Sequence, residues 1–168
     1  MDQALIKKRI DFKFSKQELQ FDVEQSLFSS YGIDNGTKAL LNSLRKNETI
    51  DYKKVLDLGC GYGPLGIFIK KTKPEAKVLC TDRDALALEF TKHNASLNKV
   101  EVTTQAALGY CGVKGKFSLI CTNFPAKLQR QGLESFVYGA SSRLTKNGIL
   151  AIVIVNELDQ DMQEIIID

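Results

Sequence analysis

The sequence predicts an α/β fold, a three-layer α/β/α sandwich around a mostly parallel sheet, and three observations carry that expectation. The stretch 55–66, V-L-D-L-G-C-G-Y-G-P-L-G, reads as a short strand, a loop with glycine at every second position, and a helix starting at Pro64. From there strand-like and helix-like stretches alternate, as in consecutive βα units. The stretches 117–121 (F-S-L-I-C) and 149–155 (I-L-A-I-V-I-V) are apolar almost throughout, as strands buried on both faces are. Right-handed crossovers and a change of direction beside the first strand of the sheet give an expected spatial order 3-2-1-4-5.

Length and composition set the frame. A chain of 168 residues holds one domain with a substantial core, here 1–168, divided into an N-terminal extension (1–26) and the main unit (27–168). The content of 43% hydrophobic and 26% charged residues is that of a globular protein. A net charge of +3 without a dense Lys/Arg cluster permits a nucleic-acid partner without demanding one. Cys60, Cys80, Cys111 and Cys121 form no C-x-x-C pair and His93 is the single histidine, so no metal site is expected. Unpaired, dispersed cysteines point to a reducing, cytoplasmic setting. No signal peptide and no apolar run of membrane-spanning length is visible, so no membrane partner is expected.

The elements follow in order. Residues 10–14 (I-D-F-K-F) and 19–23 (L-Q-F-D-V) alternate apolar and polar around S-K-Q-E, which predicts a β-hairpin covering one end of the sheet. Turn signals at Gly32 and Asn35-Gly36 precede a helix that starts near Gly36 or Thr37 and turns Leu40, Leu41 and Leu44 to one face. After the glycine unit, 76–81 is a second strand with Asp82 at its end, and Asp84 is the expected N-cap of a helix over 84–97. Leu86, Phe90 and Leu97 mark that helix's inner face, and His93 is expected in solvent. A third strand is predicted at 101–104 and a fourth at 117–121. Leu133, Phe136, Val137, Ala140 and Leu144 then outline a helix, K-N-G turns the chain into the fifth strand at 149–155, and 159–167 has helical spacing.

The glycine loop offers backbone amides and close approach to a ligand. Gly61, Gly63 and Gly66 fit the dinucleotide fingerprint G-x-G-x-x-G, a weak signal alone. The other ligand of this geometry is S-adenosylmethionine (SAM). V-L-D-L-G-C-G-Y-G resembles the first motif of class I methyltransferases, whose fold is Rossmann-like. The resemblance implies that Gly59, Cys60, Gly61 and Gly63 hold the methionine end of SAM and that Asp57 helps hold its ammonium, directly or through water. Asp82 stands about 20 residues past the glycines, where βαβ proteins place an acid on a ribose diol, and Arg83 would flank the adenine. Related methyltransferases carry an acid for the adenine amine where this sequence has A-A-L, so Ala107 and Leu108 offer backbone groups only.

Two further segments resemble the methyltransferase small domain family, which includes ribosomal RNA small-subunit guanine methyltransferases of the C type. The segment F-S-x(4)-I-D-x-G-T implies that Phe28, Ser29 and Thr37 border the cofactor and substrate mouth. Asn123-Phe124-Pro125-Ala126 resembles the (Asn/Asp/Ser)-Pro-Pro-aromatic motif of enzymes that methylate exocyclic amines, with Phe124 in place of the first proline and Ala126 in place of the aromatic. The lone pair of such an amine is delocalised into its ring. The Asn123 oxygen and a carbonyl of Phe124 or Pro125 would accept its two hydrogens and turn the lone pair toward the methyl group. Phe124 or Phe28 would then stack on the base.

These resemblances imply a SAM-dependent N-methyltransferase acting on a base in RNA, foremost ribosomal RNA, while a protein or small-molecule amine stays open as substrate. A SAM-binding but inactive subunit and an NAD-dependent oxidoreductase are the alternatives. Class I methyltransferases usually continue with two more strands, so the fifth strand here is expected to be an apolar edge. Truncation, the N-terminal hairpin or a second subunit in a homodimer would account for it.

Overall fold

The computed structural model describes residues 2–27, 31–47, 50–124 and 129–167. Its elements run β1 (Lys8–Phe14), β2 (Gln17–Val23), α1 (Asn35–Lys46), β3 (Lys54–Leu58), α2 (Pro64–Thr72), β4 (Lys77–Asp82), α3 (Ala85–Leu97), β5 (Thr103–Ala106), β6 (Phe117–Asn123), α4 (Gln129–Ser141), β7 (Leu144–Val153) and α5 (Asp159–Ile167). The five-stranded sheet is parallel throughout, in the order β5-β4-β3-β6-β7. In order of appearance those strands are 3-2-1-4-5, as expected, and the change of direction falls between β3 and β6.

Side-chain alternation along β3 sets the layers. Val55 packs with residues of α1, α2 and α3, together with Val78, Cys80, Leu119 and Cys121. Leu56 and Leu58 turn to the other face, where they meet Ile120, Phe117 and Ala140 of α4. Asp57 therefore points toward the α2 side of the sheet.

Several boundaries move. Asp34 caps α1, so the helix starts at Asn35 rather than at Gly36 or Thr37. β5 lies at Thr103–Ala106 instead of 101–104, in register with Leu79–Asp82. β7 begins at Leu144, which pairs with Phe117 before an irregularity, and the ladder resumes at Ile149 opposite Leu119. The K-N-G segment therefore lies inside a strand, and Leu144 belongs to that strand and not to α4. Among the described residues no helix is long and apolar enough to cross a membrane.

The hairpin is a separate two-stranded sheet, in the register Ile10↔Phe21 and Phe12↔Leu19. Among the described residues it packs mainly on α2 and α3, and not over an end of the main sheet or the β7 edge. Its buried face, with Phe12, Leu19 and Phe21, joins the layer of α2 and α3. Phe14 meets Phe68 edge-on at 5.2 Å and Phe21 meets Tyr62 at 5.8 Å.

A part-buried ion cluster lies at this docking: Arg9, 49% exposed, pairs with Asp22 within the hairpin, and His93 joins from α3. Asp22 is 0% exposed and accepts from Arg9 Nε (2.6 Å) and Nη2 (2.8 Å). His93 Nε2 lies 2.8 Å from Asp22 Oδ2, the oxygen that also accepts from Arg9 Nη2, so His93 is a partner of the hairpin and not a solvated residue. The Arg9 guanidinium holds the Asp22 carboxyl below its usual range; burial opposes that shift and His93 adds to it. A carboxyl depressed on folding stabilises the fold above its unfolded value and loses that contribution as the pH drops through the folded one. Asp22→Asn should therefore cost about 1–3 kcal/mol near neutral pH, the worth of hydrogen bonds to a charged group. In thermal melts the gap between wild type and variant should close well below about pH 4.

Candidate active site at the β3–β6 crevice

The loop after β3 is held from behind. The Thr81 carbonyl accepts the amides of Gly59 (2.8 Å) and Cys60 (2.9 Å). Gly59 and Gly61 have φ of +73° and +56°, and a Cβ at either would meet no described atom within 4 Å. The left-handed φ reserves those positions for glycine, and the absence of near atoms leaves open space over the loop. Asp82 accepts the Gly61 amide through Oδ2 (2.9 Å) and the Asp84 amide through Oδ1 (3.0 Å). Thr91 Oγ1 donates to the Gly61 carbonyl at 2.8 Å. Gly63, in the left-handed region, is the N-cap of α2, and Pro64 follows at its first position.

Beneath the loop lies Asp57, fully buried and in register with Cys80 on β4 and Cys121 on β6. Its Oδ2 accepts the Gly66 amide at 2.8 Å. Its Oδ1 has no hydrogen-bond partner among the described residues. A Cβ on Gly66 would sit 2.5 Å from Cys80 Sγ and 3.0 Å from Asp57 Oδ2, so only glycine lets α2 approach this carboxyl. Burial pushes the Asp57 carboxyl up to about 7; the Gly66 amide pulls it down and Asp82 adds a further rise. The Cys80 thiol is pushed up by its interaction with Cys60 and by burial, and Cys121 by burial, which makes both unreactive.

Across the crevice, Asn123 ends β6. Its Nδ2 donates to Asp34 Oδ2 and lies 3.3 Å from Thr37 Oγ1. Asp34 also accepts the amides of Gly36 (3.1 Å) and Thr37 (2.9 Å). Burial pushes the Asp34 carboxyl up, but the hydrogen bonds from Thr37, Gly36 and Asn123 outweigh it and hold the group below its ordinary value. A cavity of ≈ 50 Å³ joins the two halves, its wall formed by Asp34, Thr37, Gly59, Cys60, Gly61 and Asn123, among others. That is the space of one or two water molecules.

Thr37, Gly59, Cys60, Gly61 and Asn123 thus meet in one cavity wall. Gly63 begins the helix behind it, and Asp57 sits below the loop without reaching its surface. Asp82 is half-buried at the β4 end of the loop, with Arg83 exposed beside it. Ala107 donates its amide to the Asp82 carbonyl (2.9 Å), and Leu108 is 72% exposed. Phe124 is 4% exposed with its ring edge-on to Phe136 at 5.0 Å, so it presents no face for stacking. Phe28, Ser29, Pro125 and Ala126 lie outside the described residues.

A family model for the methyltransferase small domain matches residues 18–166. The chain belongs to the methyltransferase small domain family. Ribosomal RNA small subunit methyltransferase C of Actinobacillus pleuropneumoniae is 32% identical over 141 residues, covering 82% of this chain and 43% of that protein. The Haemophilus influenzae protein of the same name is 41% identical over 102 residues, 59% of this chain and 29% of its own. The chain therefore spans less than half the length of these curated relatives. A solved structure titled 16S rRNA N2 G1207 methyltransferase of T. thermophilus, in complex with AdoMet and guanosine, superposes with a TM-score of 0.83 at 21% identity, over 94% of this chain and 45% of that one. A ribosomal protein L11 methylase of Lactobacillus delbrueckii gives 0.68 at 24% identity, over 79% of this chain and 67% of that one.

In this small-domain chain, residues beyond the glycine and Asn123 motifs complete the site. Asp34 stands in the I-D-x-G-T segment, and its place three residues before Thr37 is an N-cap signal. Thr91 has no local sequence signature, because its role depends on α3 lying against the loop.

The raised Asp57 carboxyl has a measurable consequence. Between the ordinary carboxylate value and about 7 the folded chain holds a proton that the unfolded chain has lost, so stability falls as pH rises through that window. Asp57→Asn, which cannot ionise, should flatten this slope in chemical denaturation curves and be relatively more stable than wild type above pH 7 than at pH 5.

Proposed function

We propose that the chain transfers a methyl group from SAM to an exocyclic amine, with a nucleobase of ribosomal RNA as substrate and the cytoplasm as its setting. The observation that carries this reading is the meeting of the glycine loop and Asn123 in one cavity across the β3–β6 crevice, the switch point where open α/β sheets bind ligands. The relatives' names and the AdoMet and guanosine in the T. thermophilus structure's title agree with it.

The residues present fit SAM. Open space over Gly59 and Gly61 is a cradle that a Cβ would fill, suited to the methionine end. The unpartnered Asp57 Oδ1 is a buried acceptor directly below, and a cation over the loop, directly or through water, would draw the proton from it. Asp82 stands at the end of β4, where its carboxylate can accept from a ribose diol while keeping the Gly61 amide. When bound, SAM would supply an electrophilic methyl group to the amine nitrogen, with S-adenosylhomocysteine as the leaving group and the amine proton passing to solvent.

This chain's contribution is orientation. Ionised Asp34 only accepts hydrogen bonds, so it fixes the Asn123 amino group toward itself and leaves Oδ1 as an acceptor for the substrate amine. Placement of reactants in such a geometry is worth roughly 7–11 kcal/mol. No base of unusual pKa is needed. A SAM-binding but inactive subunit is the second reading, favoured by the buried Phe124 ring.

Calorimetric titration with S-adenosylhomocysteine (SAH) should give micromolar binding to wild type, weakened at least tenfold in Asp82→Ala. Asn123→Ala should retain SAH affinity and lose about 10²–10³-fold in transfer of labelled methyl to ribosomal RNA. Binding without transfer by the wild type would favour the inactive subunit. A preference for NADH over SAH would restore the dinucleotide reading.

A further inference from the structure

Asn94 on α3 and Asn98, the C-cap of that helix, serve the hairpin as a neighbouring strand would. Asn98 Oδ1 accepts the Gln20 amide (2.9 Å) and its Nδ2 donates to the Gln20 carbonyl (2.6 Å). Four residues earlier, Asn94 Oδ1 accepts the Asp22 amide (2.8 Å) and its Nδ2 donates to the Asp22 carbonyl (3.0 Å). The spacings match: four residues of helix rise about 6 Å, and two residues of strand rise about 6.8 Å. A carboxamide carries a donor and an acceptor side by side, as a peptide group does. The outer edge of β2 is thereby satisfied by side chains where it is buried against the helix.

Beyond β2 the two differ: Asn98 Nδ2 also donates to the Asn94 carbonyl (2.8 Å), whereas Asn94 reaches the glycine loop. Its Nδ2 also donates to the Tyr62 carbonyl in the glycine loop at 3.0 Å. One turn before it, Thr91 holds the Gly61 carbonyl. Two successive carbonyls of the loop are thus tied to one face of α3. In a planar trans peptide the following amide points the opposite way, so Thr91 sets the direction of the Tyr62 amide, and Asn94 fixes the peptide whose Gly63 amide closes the turn on the Cys60 carbonyl (2.9 Å). Phe21 of β2 touches the Tyr62 ring from the same side. Asn94 is 0% exposed and cannot contact a ligand itself.

We propose that Asn94 is a positioning residue for the cofactor loop, and that through it the hairpin and the SAM pocket are coupled. The proposal rests on the SAM reading given above. The hairpin then acts as a brace whose docked state favours the ligand-ready loop. Because coupling is reciprocal, ligand on the loop tightens the bond between Asn94 and Asp22.

Asn98 provides the control, since it holds β2 in the same way without touching the glycine loop. SAH titrations should show at least tenfold weaker binding for Asn94→Ala and less than twofold change for Asn98→Ala, on variants whose melts confirm folding. Equal losses in both variants, or an unchanged Asn94→Ala, overturn the proposal. If Asn94→Ala does not fold, amide hydrogen exchange on the wild type decides. SAH should slow exchange of the Asp22 amide several-fold more than that of the Gln20 amide, and equal slowing overturns the coupling. Failure of SAH to bind the wild type instead removes the SAM reading, and this proposal with it.

Discussion

The turn from β3 into α2 is the constraint on which the site depends, and it is held almost wholly from the side away from the cavity. The Thr81 carbonyl, the Asp82 carboxylate, Thr91 and Asn94 take up its peptide groups from β4 and α3. A loop this rich in glycine has much backbone entropy to lose, and these bonds offset that loss before a ligand arrives. Order established in advance is what lets binding energy go into affinity rather than into ordering the site.

The same turn explains a costly feature of the core. Asp57 is placed on the α2 side of the central strand by alternation, between two buried thiols and with one oxygen unpartnered. An apolar residue at that position would pack without a desolvation cost. What the carboxyl provides is an acceptor for the Gly66 amide at the first turn of α2. Cys80 and Cys121 fit beside it because a thiol is small and weakly polar.

The sequence made the parallel sheet, its strand order, the hairpin and the glycine loop visible, because each depends on local periodicity or on residues with special backbone preferences. It placed Thr37, Gly59, Cys60, Gly61 and Asn123 among candidates that the fold then gathers into one wall. What stayed hidden depends on contacts between elements distant in sequence. Helical periodicity drew the inner face of α3 through Leu86, Phe90 and Leu97; Phe90 is fully buried there, but so are Thr91 and Asn94, which that periodicity passes over, since polar side chains on that face are satisfied only by the hairpin and the loop. His93 looked solvated for the same reason: Asp22 is 71 residues away along the chain. The strand boundary at Leu144 was hidden by K-N-G, a turn signal that the sheet absorbs as an irregularity.

The orientation of Asn123 illustrates how one carboxylate can organise the reactive side of the crevice. A lone carboxamide at the end of β6 could present either its oxygen or its amino group to a substrate. Asp34 removes the ambiguity, because its N-cap bonds to Gly36 and Thr37 fix its own position and hold it ionised below the usual carboxylate range. Gly36 completes the arrangement: a Cβ there would stand 2.8 Å from Asn123 Oδ1, the atom proposed to receive the amine. The start of α1 thus acts on Asn123 twice, by attracting its amino group and by leaving room at its oxygen. An amine donor would meet an acceptor already turned and desolvated, and the reorganisation that water would require is spent in folding.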